Sequence, residues 1–375
     1  MSKSKKTGIY IHIPFCRNKC PYCDFYSNVQ DKDTIDRYIS AIIIELKTRE
    51  RLASYVEGKI SADTVYFGGG TPSLLPAEGF ERIMDALREN INLSPESEIT
   101  VECNPSSSSD RLFSVLKRIG VNRISLGLQS AVLQERKLLG RSGTRDEVSK
   151  ALEACKRSGI DNISLDIMLG VPGQSEESLE ETLGFCIESR VKHLSAYMLK
   201  IEKNTPFYRM GSKLMLPDED CFCRLYELCC EKLEEYGFKQ YEISNFAKDG
   251  FVSRHNIKYW KLDDYLGIGP SAHSFYRGRR FYFPPDTKSF ISGAKLVADG
   301  FGGGIDEYIM LSLRLVPGID LEQMSRKFGN NSVKELKEKA RPFTELHLVE
   351  LNENTLSLTR KGFLLSNTVI AALIS

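Results

Sequence analysis

The chain has 375 residues, 51 Lys and Arg against 50 Asp and Glu, and a formal charge of +1. That length holds a barrel-sized domain and a smaller one, and the charge balance excludes a protein working through a basic surface on a polyanion. No apolar run approaches the ~20 residues of a membrane span and no secretory h-region precedes the cysteines, which points to a reducing cytoplasm; of the ten cysteines, the seven outside the triad at Cys16, Cys20 and Cys23 read as free thiols.

In chain order, Lys3, Lys5 and Lys6 form a small basic tail, and residues 8–13 read as a strand. Directly after it, Cys16, Cys20 and Cys23 make a tight Cys-x3-Cys-x2-Cys loop. A 4Fe–4S cube takes four thiolates, so three with no evident fourth leave one iron open to a non-protein ligand. A three-thiolate zinc site or three core cysteines are the alternatives; zinc ordinarily shows a matching Cys or His pair downstream, and none stands out.

Strand signals then alternate with helical ones. Strands are expected at 64–67, 99–102, 123–128, 162–169 and 193–199, and helices at 34–50, 77–90, 109–119, 145–158 and 176–189. Successive βα units imply a parallel sheet, whose chemistry gathers at the carboxyl ends of its strands. There lie Gly68-Gly69-Gly70-Thr71-Pro72, Glu102 and Asn104, and Gln129. Asp166 sits inside an apolar strand, costly unless paired or facing a ligand. Arg141 is a candidate carboxylate clamp. Each residue alone reads as a cap or a satisfied core group; together, beside a cysteine triad, they point to a site.

Cys221, Cys223, Cys229 and Cys230 lie on an amphipathic helix. Cys223 and Cys230 share a face, but ~10.5 Å apart along the axis, beyond the ~7 Å reach of a disulfide. Core packing is the expectation for these four.

Tyr-x5-Cys with the triad, Gly-Gly-Gly-Thr-Pro, Glu-x-Asn-Pro, Leu-Gly-Leu-Gln-Ser and Leu-Asp-x-Met-x-Gly-x-Pro-Gly-Gln, in this order, resemble the radical S-adenosylmethionine superfamily, in its coproporphyrinogen oxidase-like branch. The resemblance implies a partial (β/α)6 barrel and a 4Fe–4S cluster on Cys16, Cys20 and Cys23. It also implies S-adenosylmethionine chelated to the open iron, from which a reduced cluster can release a 5′-deoxyadenosyl radical. Tyr10, Gly69, Gly70, Thr71, Glu102, Gln129, Arg141 and Asp166 match positions that surround S-adenosylmethionine in such proteins, and Tyr22 is expected to shield the cluster or line that pocket. The oxidases carry a further cysteine two residues past the triad; here Phe25 stands there, as in the HemW-type haem chaperones. His255-Asn256-Ile257-Lys258-Tyr259-Trp260 matches their His-Asn-x-x-Tyr-Trp motif. A neutral imidazole at His255 suits haem iron, and Tyr259 and the single tryptophan, Trp260, can stack on a macrocycle. His273 is a second candidate ligand.

From about residue 305 the character changes: a helix over 307–315, an alternating hairpin around Asn352-Glu-Asn and a closing helix from 361 suggest a winged-helix-like module. It lacks a clean basic stripe, so nucleic acid is not the expected partner. The glycines at 300–304 read as a hinge.

The expectation is therefore an α/β protein: a barrel over 1–210, an α+β extension over 211–300 carrying the motif, and a winged-helix-like module over 305–375. Its expected function is a cytoplasmic haem chaperone with a 4Fe–4S cluster and S-adenosylmethionine, delivering haem to respiratory acceptor proteins. A cluster-dependent homodimer and peripheral membrane contact are compatible with it. The alternative is a radical oxidase acting on coproporphyrinogen or another tetrapyrrole, and the sequence leaves open whether the chain is an enzyme.

Overall fold

The computed structural model describes residues 6–54, 59–141 and 143–374; Lys3 and Lys5 of the basic tail lie outside them. Six strands alternate with helices: β1 Thr7–Ile13, β2 Ser61–Gly69, β3 Asn92–Cys103, β4 Arg123–Gln129, β5 Asn162–Leu169 and β6 His193–Met198. The intervening helices are Lys32–Ser54, Ala77–Asn90, Asp110–Arg118, Arg145–Arg157 and Glu176–Glu188. Their starts follow local chemistry. Ser109, Thr144 and Ser175 each accept a backbone N–H three residues on, and Thr144 with Glu147 closes a reciprocal capping box.

The period of two along each strand separates two environments. In β1, Ile9, Ile11 and Ile13 are fully buried with Tyr38, Ile39, Ile42 and Leu46 of the first helix. Gly8, Tyr10 and His12 point the other way, into the lumen, where they meet Thr64, Tyr66 and Glu102.

Later strands are β7 Lys239–Glu242, β8 Asn245–Ala247, β9 Tyr265–Ile268, β10 His273–Tyr276, β11 Arg279–Tyr282 and β12 Val297–Phe301. They join the same 12-stranded sheet, in the order β12-β11-β10-β9-β1-β2-β3-β4-β5-β6-β8-β7. The run from β9 through β1 to β6 is parallel throughout. The extension over 211–300 thus adds β9 to one end of the parallel run and an antiparallel pair to the other. Crossing between those ends, the chain lodges helix Arg254–Trp260 against the amino halves of β2 and β3.

Beyond helix Ile305–Ser312 come β13 Ile319–Asp320, helices Leu321–Phe328 and Asn330–Glu345, and the hairpin β14 Val349–Leu351 with β15 Thr355–Leu358. These strands pair in the order β13-β15-β14, a winged-helix-like arrangement. The expected closing helix is two, Arg360–Leu364 and Ser366–Ile374. The expected hinge is strapped down: Gly300 and Phe301 belong to β12, Gly302 N–H donates to the Gly278 carbonyl at 3.0 Å, and Glu307 binds both Gly303 N–H and Arg280. On helix Glu219–Glu235, Cys229 and Cys230 are fully buried beside Leu225, Tyr226 and Leu233.

Candidate functional site

The cysteine loop leaves β1 and is pinched at its neck, where Asn28 N–H donates to the Pro14 carbonyl at 2.8 Å and Cys16 N–H to the Asn28 carbonyl at 3.1 Å. The glycine-rich turn after β2 packs directly on it. Gly70 N–H donates to the Ile13 carbonyl at 2.9 Å and Thr71 N–H to the Phe15 carbonyl at 2.7 Å. Thr71 Oγ1 lies 3.7 Å from Cys16 Sγ. A Cβ on Gly70 would stand 2.7 Å from the Phe15 carbonyl oxygen and 3.1 Å from Cys16 Sγ, so only glycine permits this approach. All three thiols are free and half-exposed, and burial, with Cys20 and Cys16 beside it, pushes the Cys23 thiol up. Among the described residues no three His, Cys, Asp or Glu groups converge on a point that would hold one metal ion. A four-iron cube does not require it, since each thiolate binds a different iron. Three soft donors on one loop, floored by a backbone cradle, fit such a cluster.

Tyr22, between two of the cysteines, is clamped by Arg141, whose Nη2 donates to the phenol oxygen at 2.8 Å. The carboxyl strand ends complete the rim. Glu102 accepts from the Tyr66 hydroxyl at 2.7 Å and from Gly69 N–H at 3.2 Å; burial, reinforced by the nearby Asp166 carboxylate, pushes its pKa up to about 7. Asp166 accepts from the Ser125 hydroxyl at 2.9 and 3.0 Å, and burial raises its pKa too. Gln129 ends β4 in the left-handed region (φ 69°), its amide against Gly127 and beside Arg141. Tyr10 bonds His12 Nδ1 at 3.0 Å and stacks against Tyr66 and His255, which also stack on each other. Every rim residue read from the sequence therefore lies at one end of the parallel run or just inside it.

Sequence reasoning missed Tyr66 and Ser125, which hold the two carboxylates, and Arg136, which holds the loop after β4. Arg136 is 3 % exposed and donates to the carbonyls of Leu128, Ser130 and Gly143. The available signal was the alternation itself: polar residues repeat at every second position on the inward face of β2 to β6.

The motif helix sits deeper. Ser253 caps it, and the Glu98 carboxylate accepts from Arg254 N–H at 3.0 Å and His255 N–H at 2.9 Å, an anion at a helix amino end. His255 is fully buried; its Nδ1 meets Thr64 Oγ1 at 2.8 Å and its Nε2 the Tyr259 hydroxyl at 2.8 Å. Burial, then Lys258 and Arg123, lower its pKa to about 3, so the ring is neutral. Gly8 makes room for it: a Cβ there would stand 3.2 Å from His255 Cε1. Both ring nitrogens thus have partners within the protein. Asn256, Tyr259 and Trp260 instead line a cavity of about 440 Å³, with Tyr197 and Met198 from the end of β6, residues 242–245, and Arg314. His273 lies apart, stacked on Tyr282 across the β10–β11 hairpin.

The model of the Radical SAM superfamily matches residues 10–186, and that of the HemN C-terminal domain residues 305–365. The chain is 33 % identical to the heme chaperone HemW of Bacillus subtilis, over 97 % of this chain and 98 % of that one. It is 34 % identical to the heme chaperone HemW of Lactococcus lactis, over 97 % and 96 %. The fold is similar to that of the Escherichia coli coproporphyrinogen III oxidase HemN, a radical SAM enzyme, with TM-score 0.83 and 21 % identity over 99 % of this chain and 90 % of that one. With the cysteine loop, the rim and the motif helix in place, this near-full-length similarity shows that the chain belongs to the HemW family within the radical SAM superfamily.

Proposed function

We propose that the chain is a haem chaperone, taking up haem and passing it to acceptor haem proteins, respiratory ones among them, in the cytoplasm and at the membrane surface. Among the described residues no helix is long and apolar enough to cross a membrane, so contact there is peripheral. The single observation that carries this reading is the placement of the motif: its helix is fixed to the barrel through Thr64 and Glu98, and Asn256, Tyr259 and Trp260 line a cavity of ligand size. The names of the full-length relatives support it.

Cys16, Cys20 and Cys23 hold the 4Fe–4S cluster in this proposal. Tyr10, Tyr22, Gly69, Gly70, Thr71, Glu102, Gln129, Arg141 and Asp166 surround S-adenosylmethionine. Bound together, cluster and cofactor supply one-electron chemistry at a sulfonium; in a carrier we assign them an assembly or regulatory role, including a cluster-dependent homodimer. His255 takes haem by exchange. Its Nε2 leaves Tyr259 for the iron while Nδ1 stays on Thr64, the partner that fixes tautomer and ring orientation.

The test is an anaerobic haem titration of the reconstituted protein, followed by Soret absorbance, beside His255→Ala. Saturable, near-stoichiometric binding whose ligation changes in the variant supports the reading; equal weak binding by both removes the site. A radical enzyme of tetrapyrrole metabolism is the second reading, favoured by the buried carboxylates Glu102 and Asp166 held at the strand ends beside the glycine turn. It requires S-adenosylmethionine consumption and CO2 release on coproporphyrinogen, and a carrier does neither.

A further inference from the structure

The cavity beside the motif helix is closed on one side by a residue from outside the barrel, Arg314, which follows helix Ile305–Ser312 of the C-terminal module. Its backbone carbonyl accepts from Ile243 N–H at 2.9 Å, which pins the residue to the cavity wall. The guanidinium lies 5.9 Å from the centre of the Trp260 ring, with Nη2 donating to Asn367 Oδ1 at 3.0 Å. Among the described residues it forms no ion pair. The acid near it, Glu242, is buried, and its Oε1 is taken by Ser244 N–H and the Asn245 side-chain amide. A half-buried cation outside any direct ion pair is costly. One that lines a cavity of ligand size (~300–1,000 Å³) beside two aromatic rings is a recognition group for an anionic edge.

We propose that Arg314 binds a carboxylate on the edge of a flat ligand in this cavity, with the ligand's ring against Trp260 and Tyr259. The ligand class is a planar macrocycle bearing acidic side chains. The C-terminal module is then part of the binding site rather than only a cover. This rests on the haem reading above and deepens it: the propionate edge of haem meets Arg314, and the iron lies toward the barrel floor and His255.

The test compares haem with haem dimethyl ester, whose carboxylates are blocked, on the full-length reconstituted protein and on Arg314→Gln and Arg314→Lys. The wild type is expected to bind the ester about 10- to 100-fold more weakly than haem, the worth of one charge-assisted pair. Arg314→Gln is expected to bind haem more weakly by a similar factor and no longer to tell the two ligands apart. Arg314→Lys keeps the charge without the fork and falls between. The wild-type comparison needs no variant, so a misfolded one does not rescue the proposal. Equal affinity of the wild type for haem and ester overturns the role of Arg314 and leaves the carrier reading standing. No binding of either overturns the carrier reading itself.

Discussion

Gly70→Ala tests whether the glycine turn shapes the cysteine loop. The added methyl would stand 2.7 Å from the Phe15 carbonyl oxygen, 3.0 Å from Phe15 N and 3.1 Å from Cys16 Sγ. Ordinary contact begins near 3.4 Å, so the backbone on one side must move by about half an ångström or more. The thiol can rotate away, but the carbonyl cannot, because it accepts from Thr71 N–H while Gly70 N–H is tied to Ile13. Overpacking of this kind costs about 1–3 kcal/mol, and the chain has a cheap outlet: the loop neck shifts outward, carrying Cys16 with it. Metal–ligand distances tolerate only about 0.2 Å, so the loss should fall on cluster assembly more than on folding. The assay is anaerobic reconstitution with iron and acid-labile sulfide counted per chain, beside a thermal melt. Gly184→Ala is the control, since its methyl meets nothing within 4 Å inside helix Glu176–Glu188 and should stabilise by about 0.5–1 kcal/mol. Full iron and sulfide in Gly70→Ala, with an unaltered cluster spectrum, would refute the reasoning.

Thr64→Val keeps the shape beside His255 but removes the partner of Nδ1; it should cost about 1–3 kcal/mol in stability and shift the Soret band of bound haem, and an unshifted band would show that His255 is not the ligand. Arg136→Met strips two buried carbonyls and a part-buried one of their donor and should cost about 2–5 kcal/mol. It should also weaken S-adenosylmethionine binding, because Gln129 and Arg141 flank the loop it holds; calorimetry reads both, and intact binding would mean the loop needs no such tie. Glu242 holds its proton more tightly folded (about 7) than unfolded (about 4.5), so stability falls as pH rises through that window, by up to roughly 3 kcal/mol. Glu242→Gln should therefore gain on the wild type between about pH 5 and pH 8 in denaturant midpoints; parallel curves would place the carboxyl in water.

The parallel run was legible because its strands carry β-branched apolar residues and its helices announce their caps. Residues 162–169 are the observed β5, and the helix expected over 77–90 is the one found. The strand β9 was missed because four residues, one of them glycine, give no period to read; pairing with β1 makes it a strand. Polar residues at strand ends were recognisable one by one. Their holders were not, since Tyr66 with Glu102 and Ser125 with Asp166 are partners across neighbouring strands, set by register. His255 shows the opposite limit. The motif marks the residue, but only the fold shows that Thr64 and Tyr259 already occupy its two nitrogens. Arg314 carried no local signal, because its meaning depends on Trp260 lying opposite.

The motif helix is anchored unevenly, and that bears on how a carrier both holds and releases its cargo. Its first turn and the Lys258 ammonium are tied to the barrel. Glu98 receives two of its backbone N–H groups, Arg254 donates to the Glu96 carbonyl, and Lys258 pairs with Asp63 at 2.8 Å. Its carboxyl end is held differently: Tyr259 packs edge-on to Tyr265 and bonds His255, while Trp260 faces the Arg314 guanidinium across the cavity. Breaking the first set would leave buried charges unpaired, at several kcal/mol each. Rearranging the second exchanges one neutral hydrogen bond and a cation–aromatic contact, about 1 kcal/mol apiece. Uptake and release can therefore run through Tyr259, Trp260 and the C-terminal module while the barrel floor stays fixed. Tyr10 stacks on both His255 and Tyr66, and Tyr66 on His255, so a change at Glu102 and its Tyr66 partner reaches His255 without unfolding anything between them.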